Sequence, residues 1–199
     1  MLVNLLGDLH GKARYLLRLL LKSELPVVQL GDFGFASDYK HFDKCNLTDL
    51  MIIGGNHDEY PALVNHPCYL GDFGLIPNTE KTFFCRGAYS VDKSFRTPNK
   101  DWWAEEELTL KQVDKMLDLY EKIKPETMLT HTCPDSIIDP VFGIPLMTSW
   151  TGRFLDECFK IHKPKLWVFG HMHEHKDKTV DGCRFICLAE GEHMELDLL

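Results

Sequence analysis

The sequence lacks both a long apolar stretch and a recognisable leader segment. No run of about 18 or more apolar residues occurs in the chain, so no membrane-spanning helix is expected. The first residues, Met-Leu-Val-Asn-Leu-Leu-Gly, carry neither a basic region nor a small-residue cleavage site, and we interpret them as a core strand. Linkers and low-complexity tracts are missing as well, which predicts a single domain over residues 1–199.

Clustered positive charge and paired cysteines are also missing. The formal net charge is −8 and no cluster of lysine and arginine is present, so binding to a long nucleic acid is not expected. The seven cysteines are odd in number and form no Cys-x-x-Cys pair. Reduced thiols in a cytoplasmic protein are the simplest interpretation. The sequence gives no indication of an oligomeric state.

Short apolar runs alternate with helical patterns. Residues 3–6, 27–30 and 51–54 are predicted strands, and the leucine-rich residues 13–22 form a predicted helix between the first two. This alternation predicts an α/β fold built in layers. The other predicted elements are a helix over 150–161 and strands near 83–86, 128–130, 166–169, 184–188 and 194–198.

Two local signals fix further boundaries. Residues 108–122 form an amphipathic pattern, with Thr109 and Gln112 spaced as in a capping box, so a helix is predicted there. Asp181-Gly182, lying between two runs, predicts a hairpin turn.

Five polar blocks follow the apolar runs and carry the chemistry. They are Gly-Asp8-Leu-His10-Gly, Gly-Asp32, Gly-Asn56-His57-Asp58, His131 and Gly-His171-Met-His173. Groups at strand ends converge on one edge of a sheet, and residues two apart point the same way along an extended segment. Imidazole, carboxylate and amide ligands together favour manganese, iron, nickel or zinc over calcium. The blocks therefore predict one site for two metal ions.

The order of the blocks, D-x-H, GD, GNHD, H and GHxH, resembles the calcineurin-like metallophosphoesterases. The resemblance extends from Asp8 to His173, and an ordered set of this kind is far more specific than any single block. It implies two packed β-sheets flanked by helices, a compact four-layer sandwich without a cap domain. It also implies a hydrolase that cleaves a small phosphoester with the help of two divalent metal ions.

The resemblance assigns roles to the block residues. It places Asp8, His10, Asp32 and His173 around one ion and Asp32, Asn56, His131 and His171 around the other, with manganese expected and iron, nickel or zinc as alternatives. Asp32 would bridge the ions, and a hydroxide held between them would attack phosphorus in line. His57 would act as general acid, with Asp58 orienting its imidazole and raising its pKa.

Substrate contacts are expected from residues outside the blocks. Arg86, Lys93 and Arg96 lie in a glycine-containing loop after a predicted strand, where guanidinium and ammonium groups would bind phosphate. Solvated surface charge is the alternative for all three. Tyr60 and Phe35 are candidate pocket residues whose rings would stack on a base, and packing in the core is their alternative.

The match departs from the phosphoprotein phosphatase pattern GDxxDRG. In this chain Phe35 stands where the second aspartate is expected, and the phosphate-binding arginine is absent. The leading hypothesis is therefore a phosphodiesterase acting on a small, nucleotide-like phosphodiester. The alternatives are a phosphomonoesterase acting on a phosphoprotein or nucleotide, and a non-catalytic protein-binding module on the same fold.

One motif occurs twice. Residues 30–34 read Leu-Gly-Asp-Phe-Gly, and residues 70–74 repeat these five letters. The first copy follows a clean strand and lies in the register of the metal blocks. The second is predicted to be a surface turn, so Asp72 is not expected to bind metal.

Overall fold

The computed structural model describes residues 1–145 and 148–198 of the chain. Within these residues, ten strands form two sheets. The four-stranded sheet contains β1 (Leu2–Leu6), β2 (Val27–Gln29), β3 (Leu50–Ile52) and β10 (His193–Asp197), in the order β10-β1-β2-β3. The six-stranded sheet contains β4 (Phe73–Leu75), β5 (Thr82–Cys85), β6 (Thr127–Thr130), β7 (Leu166–Phe169), β8 (Lys176–Val180) and β9 (Cys183–Cys187), in the order β4-β5-β6-β7-β9-β8.

The inner strands of both sheets are parallel. β1, β2 and β3 run in one direction, with Leu5 opposite Val28 and Val28 opposite Met51, while β10 closes one edge in the antiparallel sense. β5, β6, β7 and β9 form the parallel part of the larger sheet, and β4 and β8 are its antiparallel edges. The carboxyl ends of the parallel strands therefore lie along one edge of each sheet.

The two sheets pack face to face through a continuous apolar layer. Leu5, Val28 and Met51 of the first sheet belong to the same buried cluster as Leu129 and Val168 of the second. The alternate side chains of these strands are also buried, but on the outer faces, beneath helices. Because both faces are covered, the strands read as short unbroken apolar runs.

Helices cover the outer faces of both sheets. They are α1 (Ala13–Lys22), α2 (Ala36–Tyr39), α3 (Tyr60–Leu63), α4 (Leu110–Ile123), α5 (Asp135–Phe142) and α6 (Trp150–Ile161). Leu16 of α1 packs in one cluster with Val27 of the smaller sheet, and Met116 of α4 packs in another with Trp167 of the larger sheet. The predicted sandwich of two sheets between helices is confirmed.

Local sequence signals account for several boundaries. The Thr109–Gln112 capping box is present, since the Thr109 amide donates to Gln112 Oε1 at 2.9 Å and the Gln112 amide donates to Thr109 Oγ1 at 3.4 Å. The predicted turn at Asp181-Gly182 joins β8 to β9, and both residues have positive φ, 51° and 84°. Such angles are those of the tight hairpin turns that asparagine, aspartate and glycine favour.

Helices α2, α3 and α5 and strands β4 and β8 were not predicted. Helix α5 contains Pro140, which removes a backbone donor and makes the segment read as a turn. Strand β8 has the polar sequence Lys-Asp-Lys-Thr-Val of an exposed sheet edge. The turn predicted for the second Leu-Gly-Asp-Phe-Gly copy is wrong in part, because Phe73–Leu75 pairs with β5 as an edge strand. No helix in the described ranges is long and apolar enough to cross a bilayer.

Candidate metal centre

Five strand ends bring the polar blocks to one place. Asp8 and His10 follow β1, Asp32 follows β2, Asn56 follows β3, His131 follows β6, and His171 and His173 follow β7. These strands lie in two different sheets, so the blocks meet across the top of the sandwich. The convergence predicted from the strand ends is the arrangement that the structure has.

Four of the side chains form a first group around an open centre. The ligand atoms of Asp8, His10, Asp32 and His173 all lie within 4.8 Å of one another. His173 Nε2 is 3.0 Å from Asp8 Oδ2 and 2.9 Å from His10 Nε2, while His10 Nε2 is 3.6 Å from Asp32 Oδ2. Two carboxylates and two imidazoles at this spacing suit a divalent cation with nitrogen and oxygen ligands.

A second group shares Asp32 with the first. Asp32, His131 and His171 bring their ligand atoms within 4.8 Å of one another. His131 Nε2 lies 3.2 Å from Asp32 Oδ1 and 3.0 Å from Asn56 Oδ1, which adds the amide to this group. His131 Nδ1 is 2.7 Å from the carbonyl oxygen of Leu30, a contact that fixes the ring with Nε2 facing the centre.

The shared carboxylate has one oxygen whose hydrogen-bonding capacity is not used by the described part of the chain. Asp32 Oδ2 is buried and has no hydrogen-bond partner among the described residues. A buried carboxylate oxygen without a partner is costly, and a cation between the two groups would satisfy it. The donor set and this orphaned oxygen both fit a pair of divalent ions.

The imidazoles and carboxylates shift one another's pKa values. Burial disfavours the charged form of Asp32, yet the charges of His131 and His57 hold its pKa far below the usual range. Burial likewise disfavours charged His131, but Asp32 and Asp8 raise its pKa to about 10. Burial lowers the pKa of His171 to about 4, which keeps that ring in the neutral form that binds metal.

Glycines before the ligands leave no space for a side chain. A Cβ at Gly170 would overlap Asp8 Oδ1, and a Cβ at Gly55 would overlap both Asp32 Oδ1 and the Asp32 amide. The glycine that precedes four of the five blocks is therefore a packing requirement where the strand ends crowd together.

Backbone strain also concentrates at the ligands. His10, Asp32, His171 and His173 have φ angles of 45°, 56°, 66° and 54°, a left-handed region that non-glycine residues rarely adopt. The prediction that the Asp-x-His and His-x-His pairs lie on extended segments is therefore wrong. Tight turns, and not an extended strand, aim these side chains, and strain of this kind is characteristic of functional sites.

Asp58 does not have the predicted role beside His57. Its carboxylate is buried and accepts hydrogen bonds from the amides of Asp32, Gly34 and Gly55 and from the Tyr39 hydroxyl, at 2.7–3.2 Å. Burial and the charge of Asp32 raise the pKa of Asp58 to about 6. The carboxylate ties together the loops after β2 and β3, so it positions Asp32 and not the imidazole of His57.

His57 lies at the margin of the first group. Its ring centroid is 5.4 Å from that of His10, and its backbone amide donates to Asp32 Oδ1 at 2.7 Å. Burial lowers the pKa of His57, whereas the sequence analysis predicted a pKa raised by Asp58. The side chain is only partly buried and borders the space above the ligands.

Arg86 and Tyr60 are not placed as substrate contacts. The guanidinium of Arg86 is buried, donates to Asp72 Oδ1 at 2.6 Å and to the carbonyl oxygen of Glu105, and lies 5.0 Å from the Tyr60 ring centroid. The Tyr60 hydroxyl donates to the Gly55 carbonyl oxygen at 2.8 Å, and its ring is buried. Both predictions are corrected for the same reason, since these polar groups already have partners within the protein.

The other three residues predicted to contact substrate, Arg96, Lys93 and Phe35, have different neighbours. Arg96 lies against the Asn56 block, but Glu106 pairs with its guanidinium at 3.1 Å. Lys93 Nζ lies 4.1 Å from the Trp102 ring centroid, a cation–π contact away from the ligands. Phe35 is 43% exposed, so its ring remains available to a bound molecule.

A buried network holds the amide ligand, and two of its members escaped sequence analysis. Asn56 Nδ2 donates to Ser90 Oγ at 3.0 Å, and Ser90 Oγ donates to Glu106 Oε2 at 2.6 Å. Arg96 donates to the Asn56 carbonyl oxygen at 3.1 Å. Burial raises the pKa of Glu106 to about 7, against the opposing effect of its partners Ser90 and Arg96. Ser90 lies in a loop without a motif and Glu106 is the middle one of three successive glutamates, so no sequence signal links either residue to Asn56.

Similar folds occur in several solved structures. A dimetal phosphatase from Danio rerio aligns with a TM-score of 0.59 at 14% identity, covering 96% of this chain and 88% of that one. A phosphopantetheinyl hydrolase from Mycobacterium tuberculosis aligns with a TM-score of 0.60 at 14% identity, covering 94% of this chain and 90% of that one. At such low identity these likenesses show the fold alone. No curated protein matches the sequence closely enough to count as a relative.

The sequence itself carries the family pattern over most of its length. The family model described as calcineurin-like phosphoesterase matches residues 1–175, a span that contains all five ligand blocks. The fold, the strand-end ligands and this match agree. The chain belongs to the calcineurin-like phosphoesterase family.

Proposed function

We propose that this protein is a metal-dependent phosphodiesterase that hydrolyses a small phosphodiester. The observation that carries the proposal is Asp32, which belongs to both ligand groups and has one buried oxygen without a hydrogen-bond partner among the described residues. A carboxylate shared in this way suits the bridging position of a two-metal site. Manganese is the ion we propose for the isolated protein, and iron, nickel and zinc fit the same ligands.

Each ligand group has a defined part in the proposal. Asp8, His10 and His173 would hold one ion together with Asp32, and Asn56, His131 and His171 would hold the other with the same carboxylate. When bound, such ions supply positive charge for the phosphoryl oxygens and lower the pKa of a coordinated water. The chain's own contribution is to fix the ligand rings and carboxylates before substrate arrives.

His57 is our proposed general acid. Its imidazole borders the ligands without being among them, and its backbone is anchored to Asp32. Burial lowers the pKa of His57, which makes its protonated form a readier proton donor to the departing oxygen. The leaving alcohol would take this proton as the P–O bond breaks and water adds to phosphorus.

The charges around the centre favour a diester over a monoester. Three cations near the ligands are each paired with an acidic side chain, in the pairs Lys12–Glu190, Arg86–Asp72 and Arg96–Glu106. A phosphomonoester carries nearly two negative charges at neutral pH and a diester carries one. A site whose side-chain cations are already paired suits the smaller charge. A nucleotide-derived diester is one class of substrate to be tested.

Hydrolysis of two nitrophenyl esters tests the proposed function. We expect metal-stripped protein to be inactive, and added manganese to restore cleavage of bis-p-nitrophenyl phosphate at a higher kcat/KM than cleavage of p-nitrophenyl phosphate. Nitrophenolate absorbance measures both. Cleavage of the monoester alone would replace the diesterase proposal by a phosphomonoesterase. Stoichiometric manganese binding without cleavage of either ester, or of a wider set of diesters, would favour a non-catalytic binding protein.

A leaving-group comparison tests His57. In His57→Gln we expect kcat for diphenyl phosphate to fall about 10²-fold or more, since phenolate leaves poorly without a proton. Cleavage of bis-p-nitrophenyl phosphate should fall far less, because nitrophenolate is a stable anion. Manganese affinity is the control and should stay unchanged. An equal loss for both esters would show that His57 does not protonate the leaving oxygen.

A further inference from the structure

A small apolar cavity opens beside the metal centre. It has a volume of about 120 Å³ and is bordered by His171. Its apolar wall is formed by Tyr89, Val91, Ile138, Ile144, Pro145 and Met172. His171 is also a member of the second ligand group, so the cavity and the metal centre share a side chain.

The rim of the cavity contains three exposed apolar residues. Val91 is 66% exposed, Ile144 is 43% exposed and Tyr89 is 37% exposed, and all three border the same opening. Single exposed apolar residues are ordinary, but a group of them around a concave surface next to a reactive centre is typical of a binding site. The expected occupant therefore has apolar surface of its own.

Two polar groups in the wall, Asp135 and Ser149, have partners within the protein. Asp135 is buried, and its carboxylate accepts hydrogen bonds from the Ser149 amide at 2.9 Å and the Ser149 hydroxyl at 3.2 Å. The Ser149 hydroxyl in turn accepts from the Gly152 amide at 2.8 Å, at the start of α6. The Asp135 carboxylate and the Ser149 hydroxyl therefore have little capacity left to form hydrogen bonds with a nucleobase.

The size of the cavity limits the group held inside it to about one ring or a short branched chain. An apolar cavity of about 150 Å³ binds benzene, so a space of this size admits a group of about that volume. A complete nucleoside is larger than this space. The wall is also shaped by groups from several elements, including α5 and the loop after β7, which gives it a fixed outline.

We propose that this cavity binds an apolar ester arm of the substrate, a phenyl-sized or short branched alkyl group, while the phosphoryl group lies at the metal centre. The inference rests on the proposed phosphodiesterase function and narrows its substrate class to diesters with one apolar alcohol component. His171, placed between the two spaces, sets the distance between the apolar arm and phosphorus.

Non-hydrolysable monoanions separate binding in the cavity from catalysis. We use methyl(phenyl)phosphinate and dimethylphosphinate, which share one negative charge and differ only in the apolar arm. Calorimetry on the manganese-loaded protein should give about ten- to a hundredfold tighter binding of the phenyl compound, as expected for burial of a ring. Inhibition of bis-p-nitrophenyl phosphate hydrolysis should show the same ratio.

Substitutions of uncharged residues at the rim test whether the cavity is the source of the preference for the phenyl compound. In Val91→Ser/Ile144→Ser we expect the ratio between the two phosphinates to fall about tenfold, with dimethylphosphinate affinity unchanged. Both residues are exposed, so the fold should tolerate the changes. Leu21→Ser is the matched control, since Leu21 is 85% exposed on α1 and does not border the cavity, and its ratio should equal that of the wild type.

The outcomes distinguish this inference from the proposed function. Equal affinity for both phosphinates in a protein that hydrolyses diesters would overturn the cavity assignment alone. A phenyl preference in a protein that cleaves no ester would support the cavity and overturn the phosphodiesterase. Tighter binding of thymidine 5′-methylphosphonate than of the phenyl compound would also overturn the inference, because it would assign a nucleoside to the site.

Discussion

Asp32→Asn is expected to abolish hydrolysis. The carboxylate belongs to both ligand groups, and its Oδ2 is buried without a hydrogen-bond partner among the described residues, so the substitution removes charge from both proposed ion positions at once. Loss of a partner that merely orients a metal ligand costs about 10- to 100-fold. Loss of the shared ligand should lower kcat by about 10³-fold or more, as measured with bis-p-nitrophenyl phosphate and manganese.

Thermal unfolding gives a second measurement of the same change. Wild-type protein at manganese concentrations about 100 times Kd should gain about 2.7 kcal/mol of stability, or a rise in Tm of about 5–10 °C. Asp32→Asn should lose most of this rise. A variant that keeps both the manganese-dependent rise and the activity would show that Asp32 is not the bridging ligand.

The second Leu-Gly-Asp-Phe-Gly copy supplies the matched control. Asp72→Asn removes the same charge from the same five-residue context, but Asp72 pairs with Arg86 and Gln112, on the edge of the larger sheet. Part of the Arg86 interaction should be lost, so Tm should fall in the absence of metal. The manganese-dependent rise and kcat should remain. Loss of activity in this variant alone would contradict the assignment of the two copies.

The sequence was sufficient to predict the layered fold and the convergence of the ligands. Strands buried on both faces appear as short apolar runs, and parallel strands necessarily place the residues that follow them along one edge. Asp8, Asp32 and His131 could therefore be placed together before any coordinates were considered. Two of the missed elements have sequences that hide them: β8 is polar because it forms an exposed sheet edge, and α5 is a helix that contains a proline.

The contacts among the side chains of the site could not be predicted from the sequence. Whether Asp58 faces His57 or the backbone of the neighbouring loops depends on how the loops after β2 and β3 pack, and adjacency in sequence suggested the wrong partner. The Glu106 network depends on a long loop that folds back over Asn56. Arg86 was expected to contact substrate, with solvated surface charge as the alternative, whereas it is buried against a carboxylate that lies 14 residues earlier in the chain.

Alanine substitutions at the first glycine of the two motif copies distinguish the cost of backbone strain from the cost of steric crowding. Gly31 and Gly71 have nearly the same φ, 99° and 97°, so alanine at either position should cost about 1–2 kcal/mol of stability. Only Gly31 has a crowded neighbour, since a Cβ there would lie 2.6 Å from Cγ of His131. At Gly71 no atom of the described residues lies within 4 Å of that position.

Gly31→Ala should therefore lose function, whereas Gly71→Ala should lose only stability. The added methyl group must displace the His131 ring, and this breaks its 2.7 Å contact with the Leu30 carbonyl oxygen and turns Nε2 away from Asp32 and Asn56. We expect manganese affinity and kcat to fall about 100-fold or more, because the loss of a contact that orients a metal ligand has an effect of about this size. Equal activity in the two folded variants would show that the approach of Gly31 to His131 does not position the ligand.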